Sequence, residues 1–260
     1  MPAPAAHRPE APPRRRVDMP LVYRYLGDRR FAYTLPRALS LQILDPGDAA
    51  SLVQHVHGGL WAHKSRAVGE MVYIAYSNRD LTAVMRTAHS HVKGTDSNGE
   101  RYHSLNPELF FFQHATYVDT LFTSLDVFHG GIGPDEKDQL YRECCRWYAK
   151  YDISDRAQPA TYAEFVEYFD DYCRTHLQMT PDAARLREET LHPPTWYPHS
   201  VPHAAIRAML HPRAAELLDV DVTAADRAAL RAYAASTNLR MAITPRKFRL
   251  MSSARHDPDA

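Results

Sequence analysis

Apolar positions recur along this chain at steps of three and four far more often than at steps of two. That period places them on one side of an α-helix. "LPRALSLQIL" (35–44) carries it up to Asp45-Pro46. "GDAASLVQHVHGGL" (47–60) follows, with Asp48 as its expected cap and Gly58-Gly59 as its stop. "KSRAVGEMVYIAYSN" (64–78) and "RDLTAVMRTAHSHVKG" (79–94) come next, broken at Asn78, with Gly94 as the expected C-cap. An Asn98-Gly99 turn sits in the loop after them. Asn106-Pro107 opens a long apolar helix that closes near "HGGIG". The stretches 134–151, 161–177 and 181–191 then follow. Acidic residues lie in the first turn of 134–151, and Thr161 with Glu164 forms a capping-box pattern before 161–177. "HPPTWYP" is a Pro-rich connection, and two more helices, "AAIRAMLHPRAAELL" and "TAADRAALRAYAASTNLRM", complete the series. Strand signals are scarce. The expected fold is all-α, one domain of about ten helices over residues 19–250, with a disordered leader over 1–18 and a flexible tail over 251–260.

The most apolar stretch, residues 109–128, includes Gln113, His114, Asp119 and Asp126. A membrane span rarely tolerates that many polar groups, so the stretch reads as a buried central helix and no membrane span is expected. Composition narrows the function classes. Lys plus Arg and Asp plus Glu both number 31, so net charge offers no argument for nucleic acid or an anionic membrane. Cys144, Cys145 and Cys173 form neither a disulfide framework nor a CxxC metal pattern. The leader "MPAPAAHRPEAPPRRRVDMP" has no apolar core of a secretion signal. A reducing cytoplasm is the expected compartment. Oligomeric state is left open.

Histidine is the outlier, with 15 residues. Four stand in "RTAHSHVKGTDSNGERYHSLNPELFFFQHATYVDTL" (86–121). On helical spacing Leu81, Met85, His89 and Val92 share one apolar face, which predicts a buried His89. His91 points elsewhere, roughly 200° around the axis. His114 falls on the apolar face of Phe110, Tyr117, Leu121 and Leu125. A histidine on an apolar face is most often a satisfied core residue. A single imidazole in an apolar pocket is equally the proximal arrangement for haem. Three histidines from three helices, His55, His89 and His114, would form a facial set for a non-haem metal.

Four segments together resemble one family. They are "LQILDPGDAASLVQH", "SRAVGEMVYIAY", the 89–121 block just quoted, and "GPDEKDQLYRECCRWYAKYDISDRAQPATYAEFVEYFDDY". Over about residues 35–240 they resemble the family that groups MpaB-type oxygenases with the catalytic domain of rubber oxygenase (latex-clearing protein), also known as domain of unknown function 2236. The resemblance implies a helical fold with a globin-like core. It implies an oxygenase that binds b-type haem through a histidine in a His-x-x-Val-Arg-like stretch. Here that stretch is His89, Val92 and Lys93, so His89 becomes the iron ligand, with Lys93 and His114 beside the cofactor. The partners implied are dioxygen and a small apolar organic substrate. The family's distal Arg-x-x-x-Thr falls on Arg66 and Glu70, which makes these the expected catalytic pair, sharing a desolvated ion bond. Departures are Glu70 for Thr, Asp45 for the His of a His-Pro pair, and Phe112-Gln113 in the family's Trp-Val-His-Ala-Thr. The alternatives to a haem oxygenase are a haem-free helical protein that binds a ligand or partner, and the non-haem metal enzyme.

Overall fold

The computed structural model describes residues 18–255. The leader lies outside these residues up to position 17, as does the tail beyond 255. Within them the fold is all-α, with thirteen helices and one hairpin. The order is α1 (Pro20–Tyr25), α2 (Arg29–Gln42), α3 (Pro46–His55), α4 (Leu60–Tyr76), α5 (Thr82–His89), β1 (Lys93–Thr95), β2 (Arg101–His103), α6 (Pro107–His129), α7 (Pro134–Ala149), α8 (Tyr162–Thr175), α9 (Pro181–Leu191), α10 (His203–Met209), α11 (Pro212–Leu217), α12 (Ala224–Ile243) and α13 (Arg246–Arg249). The count exceeds the expected ten for two reasons. The stretch 204–218 breaks into α10 and α11 at Pro212, and the short α1 and α13 carry too few turns to show a period.

The caps explain most boundaries. Asn106 accepts from the Glu108 amide and Pro107 occupies the first turn of α6, where its missing N–H costs nothing. Gly130 closes that helix at φ 76, a left-handed conformation that favours glycine. Helix α3 is capped by Asp45, whose Oδ1 accepts from the Asp48 amide at 2.9 Å; Asp48, the expected cap, lies inside the helix and is buried. Thr161 accepts from Glu164 N at 3.2 Å, while the Glu164 carboxylate reaches Ala160 N and not the cap itself. The apolar period over 35–44 marks only the later part of α2, which runs back to its Asp28 cap with Pro36 inside it.

Helix α6 is the axis. Fourteen of its residues are buried, from Leu109 to Phe128, which requires neighbours on all sides. Helix α2 lies along it. Arg37 donates from Nε and Nη2 to both Asp119 oxygens, at 2.6 and 3.0 Å, and from Nη1 to the Met209 carbonyl at 3.0 Å. That one guanidinium therefore joins α2, α6 and α10. Helix α8 packs through rings, with Phe112 stacked on Tyr172 at 4.0 Å and 12°. The chain end is held too: Met251 and Ala254 are buried, and Met251 N donates to Gly27 O at 2.8 Å. The expected flexible tail is thus packed through residue 254.

Helix α1 has no side-chain cap of its own. Glu143, from α7 and fully buried, supplies one: its Oε2 accepts from Leu21 N at 2.8 Å and Val22 N at 2.9 Å, while Oε1 accepts from Gln139. A carboxylate suits the positive end of a helix. Glu143→Ala would strand two buried amides and is expected to cost about 2 to 4 kcal/mol in urea unfolding. A loss under about 0.5 kcal/mol, the size of a surface change, would show that α1 is held by other contacts.

Candidate functional site

Residue 89 ends α5. The helix has eight residues and buries only Met85. Its chain must leave the helix by Ser90, because Lys93–Thr95 pairs antiparallel with Arg101–His103. Val92 therefore lies beyond the helix, and Gly94 sits in β1 where a Cβ would meet the Gln54 side-chain oxygen at 2.5 Å. The expected four-residue apolar stripe does not form, and His89 is half-buried rather than buried. Its ring is nonetheless oriented. Nδ1 lies 2.8 Å from the Met85 carbonyl, so Nδ1 carries the proton and Nε2 is free to accept or ligate. Phe110 meets the ring edge-on at 5.9 Å. Ser104 Oγ donates to the His89 carbonyl at 3.0 Å, tying the helix end to the hairpin.

Across from α5 lies α4. Its buried side carries Trp61, Val68, Met71, Val72 and Ala75. His63, Arg66 and Glu70 follow one another at steps of three and four on another side. His63 is half-buried. Burial first, then the charges of Lys64, Arg66 and His89, lower its pKa to about 4, so it is neutral at neutral pH. Sequence reading missed His63, although it stands one turn before Arg66. Arg66 and Glu70 are both exposed, and no ion pair joins them. The expected desolvated pair is thereby corrected: facing outward from α4, each charge keeps its water, and Arg66→Ala falls to the scale of a surface change. Lys93 is exposed on β1.

His114 is a true core residue. It lies on α6 among Trp147 at 4.3 Å, Tyr148 at 5.1 Å and Tyr151 at 5.9 Å. Neither ring nitrogen has a partner, and the nearby Cys144 carbonyl stands outside bonding geometry. Burial lowers its pKa to about 3. His89 reaches His114 only through rings, Phe110 and then Tyr151, themselves 5.3 Å apart. His55 lies elsewhere, against His91 at 6.2 Å and Tyr102 at 6.4 Å. Among the described residues no three His, Cys, Asp or Glu side chains are placed to hold a metal ion. The facial set His55, His89 and His114 does not assemble, because the three rings face different neighbours.

Hollows are small. A crevice of about 180 Å³ lies between α2 and α4, walled by Leu39, Trp61, Val68 and Tyr117. Its polar wall is Gln42 and Lys64, with Lys64 Nζ donating to Gln42 Oε1 at 2.6 Å. A second, of about 160 Å³, adjoins His114, Tyr141 and Gln158.

Residues 23–239 match the model of the family described as ER-bound oxygenase mpaB/B′/rubber oxygenase, catalytic domain. The chain belongs to this family. No curated protein and no solved structure matches it. Of this chain's three departures from the mpaB/rubber oxygenase pattern, two, Asp45 and Phe112-Gln113, lie in one packed region, while Glu70 stands apart and exposed on α4. Phe112 stacks on Tyr172, whose hydroxyl donates to Asp45 Oδ2 at 2.9 Å. Gln113, the next residue, bonds through Nε2 to Asp48. Both carboxyls are raised above the usual carboxylate range by burial, and Asp48 further by the charge of Asp45. A change at Asp45 would leave the buried Tyr172 hydroxyl without its acceptor, and a change at Gln113 would take away the donor to Asp48.

Three histidines set an acid limit. His63 and His129 titrate at about 4 and His114 at about 3, against 6.5 for the free side chain, with burial the first cause in each. Below 6.5 the unfolded chain binds protons that the folded protein refuses. The contribution of these three histidines is therefore fully present above about 6.5 and is expected to be lost as pH drops towards 4. His114→Leu, which removes one of these groups without stranding a partner, is expected to flatten the slope in urea melts taken between pH 7 and 4.5 (about two units below the free value). An unchanged slope would show that His114 is protonated in the fold.

Proposed function

We propose that this protein is a haem b-dependent oxygenase that turns dioxygen on a small apolar organic substrate, with His89 as the iron ligand. The observation that carries the reading is the His89 ring, with Nδ1 held by the Met85 carbonyl and Nε2 free, on the segment that resembles the family's His-x-x-Val-Arg-like stretch. A backbone carbonyl behind a histidine fixes its tautomer and raises the basicity of the opposite nitrogen. The donor therefore fits haem iron. Haem iron supplies the redox chemistry that activates dioxygen.

The enclosure is a separate matter. Sites for organic ligands usually measure about 300–1,000 Å³, and the hollows of about 180 and 160 Å³ include neither His89 nor Phe110 in their walls. In this reading α5 withdraws to admit the cofactor. It is suited to do so, since it buries only Met85 and its Arg86–Asp152 ion pair is exposed. Phe110 and Tyr151 then offer an apolar wall, with neutral His114 behind them. Lys93 supplies a cation at the rim for a cofactor carboxylate. His63, neutral and beside His89, can accept or donate one hydrogen bond, and Arg66 and Glu70 lie on the same side of α4 to orient a polar group. The free thiols of Cys144, Cys145 and Cys173 favour a reducing compartment such as the cytoplasm. The closed packing favours a second reading, a haem-free helical protein that binds its ligand or partner at the surface.

Expression with added haem precursor separates the two. The haem reading expects a Soret band and close to one haem per chain by pyridine haemochrome, lost in His89→Ala and kept in His114→Leu. Full haem content in His89→Ala would remove the ligand assignment. A wild-type protein that stays colourless after haem supplementation would leave the haem-free reading.

A further inference from the structure

Helix α12 has two apolar sides. Its inner side buries Tyr233, Ala234, Thr237 and Met241. On its outer side, at about 100° per residue, Ala228, Ala232, Ala235, Leu239, Ala242 and Ile243 fall within a single stripe, and all six are exposed. Leu239 is 71% and Ile243 83% accessible, and Phe248 follows on α13 at 47%. Half of the large exposed apolar residues of the described chain, three of six, thus lie within ten positions. Scattered singly such residues need no explanation; a continuous stripe does.

The charge around the stripe is one-sided. From position 227 to 255 the chain contains no Asp or Glu, yet it carries Arg227, Arg231, Arg240, Arg246, Lys247, Arg249 and Arg255. None of these seven forms an ion pair among the described residues. Arg231 and Arg240 border the stripe on opposite sides, and Arg246 and Lys247 precede Phe248. The neighbouring carboxylate of Asp28, whose backbone bridges to Leu250, is already neutralised by Arg30 at 2.8 Å. The overall balance of 31 cations and 31 anions conceals this segregation.

We propose that the α12–α13 face docks on an anionic lipid surface. The stripe would sink to the headgroup boundary, and the flanking cations would meet lipid phosphates and carboxylates. An exposed apolar ridge edged by Arg and Lys is the pattern of helices that lie in the interfacial plane. Each cation near an anionic leaflet adds roughly a fivefold gain in binding. Charge argues against the other occupants. A second copy of this chain would bring the same cationic border against itself. The leader, with Arg8, Arg14, Arg15 and Arg16 against Glu10 and Asp18, has the same sign. Nucleic acid would leave Leu239 and Ile243 in water. No helix of the described residues is long and apolar enough to cross a membrane, so the mode is peripheral.

The test is vesicle co-sedimentation of the full chain, with phosphatidylcholine alone and with about 30% phosphatidylserine added. The expected result is binding to the mixed vesicles that is at least about tenfold tighter than to phosphatidylcholine and that weakens with salt. The double variants Leu239→Ser/Ile243→Ser and Arg246→Glu/Lys247→Glu should each lose about tenfold or more while melting like the wild type, since all four side chains are exposed. Equal binding to both vesicles, or wild-type binding in either variant, would overturn the proposal. So would a dimer by light scattering that Leu239→Ser/Ile243→Ser dissociates, which would assign the stripe to a second copy.

Discussion

A helix that is apolar on every side cannot stand at a surface, and α6 is such a helix. Each of its fully buried phenylalanines is worth about 1.5 to 3 kcal/mol in transfer from water. That gain is realised only if α2, α7, α8 and α12 close around it. Its polar side chains then need partners within the sheath, and most have them. Asp119 is met by Arg37, Thr116 by Gln42 and Gln113 by Asp48. Because those partners arrive from α2 and α3, the same bonds that satisfy α6 also set the register of its neighbours. Two groups stay unpaired, Thr120 Oγ1 and the His114 ring. His114 accommodates this by remaining neutral among Trp147, Tyr148 and Tyr151.

The side of the molecule around Asp45 follows the same logic. One carboxylate caps α3 and also receives the Tyr172 hydroxyl, and the tyrosine ring lies on Phe112. Two of the departures from the family pattern, Asp45 and Phe112, thus share one contact network. Removing one member of such a buried pair strands a polar atom, at a cost of about 1 to 3 kcal/mol.

The candidate site occupies the opposite regime. His89 stands on a shallowly buried element, a helix of two turns that buries only Met85, joined to a hairpin. The core is rigid where α6 is enclosed, and α5 is shallowly held where a ligand would have to enter. Elements that open for function are drawn from the weakly packed end of a structure. The aromatic series His89, Phe110, Tyr151, His114 connects the two regimes.

Local patterns were legible in the chain. Helices α3, α4, α6, α7, α8, α9 and α12 follow from apolar spacing and from caps such as Asn106 and Thr161, because a helix period and its caps depend on residues three or four apart. The His89 stretch was legible as a resemblance to the family, and the central burial of 109–128 as an apolar run. Tertiary structure alone decided the rest. Glu143 caps α1 from 122 positions away. Helix α5 ends at His89 because β1 must pair with β2, so an apolar stripe that spacing predicts never forms. Arg66 and Glu70 share a side of α4, as spacing requires, but which side meets water depends on where Trp61 and Val68 are buried. Periodicity places residues on a common face; only packing between distant segments determines what that face meets.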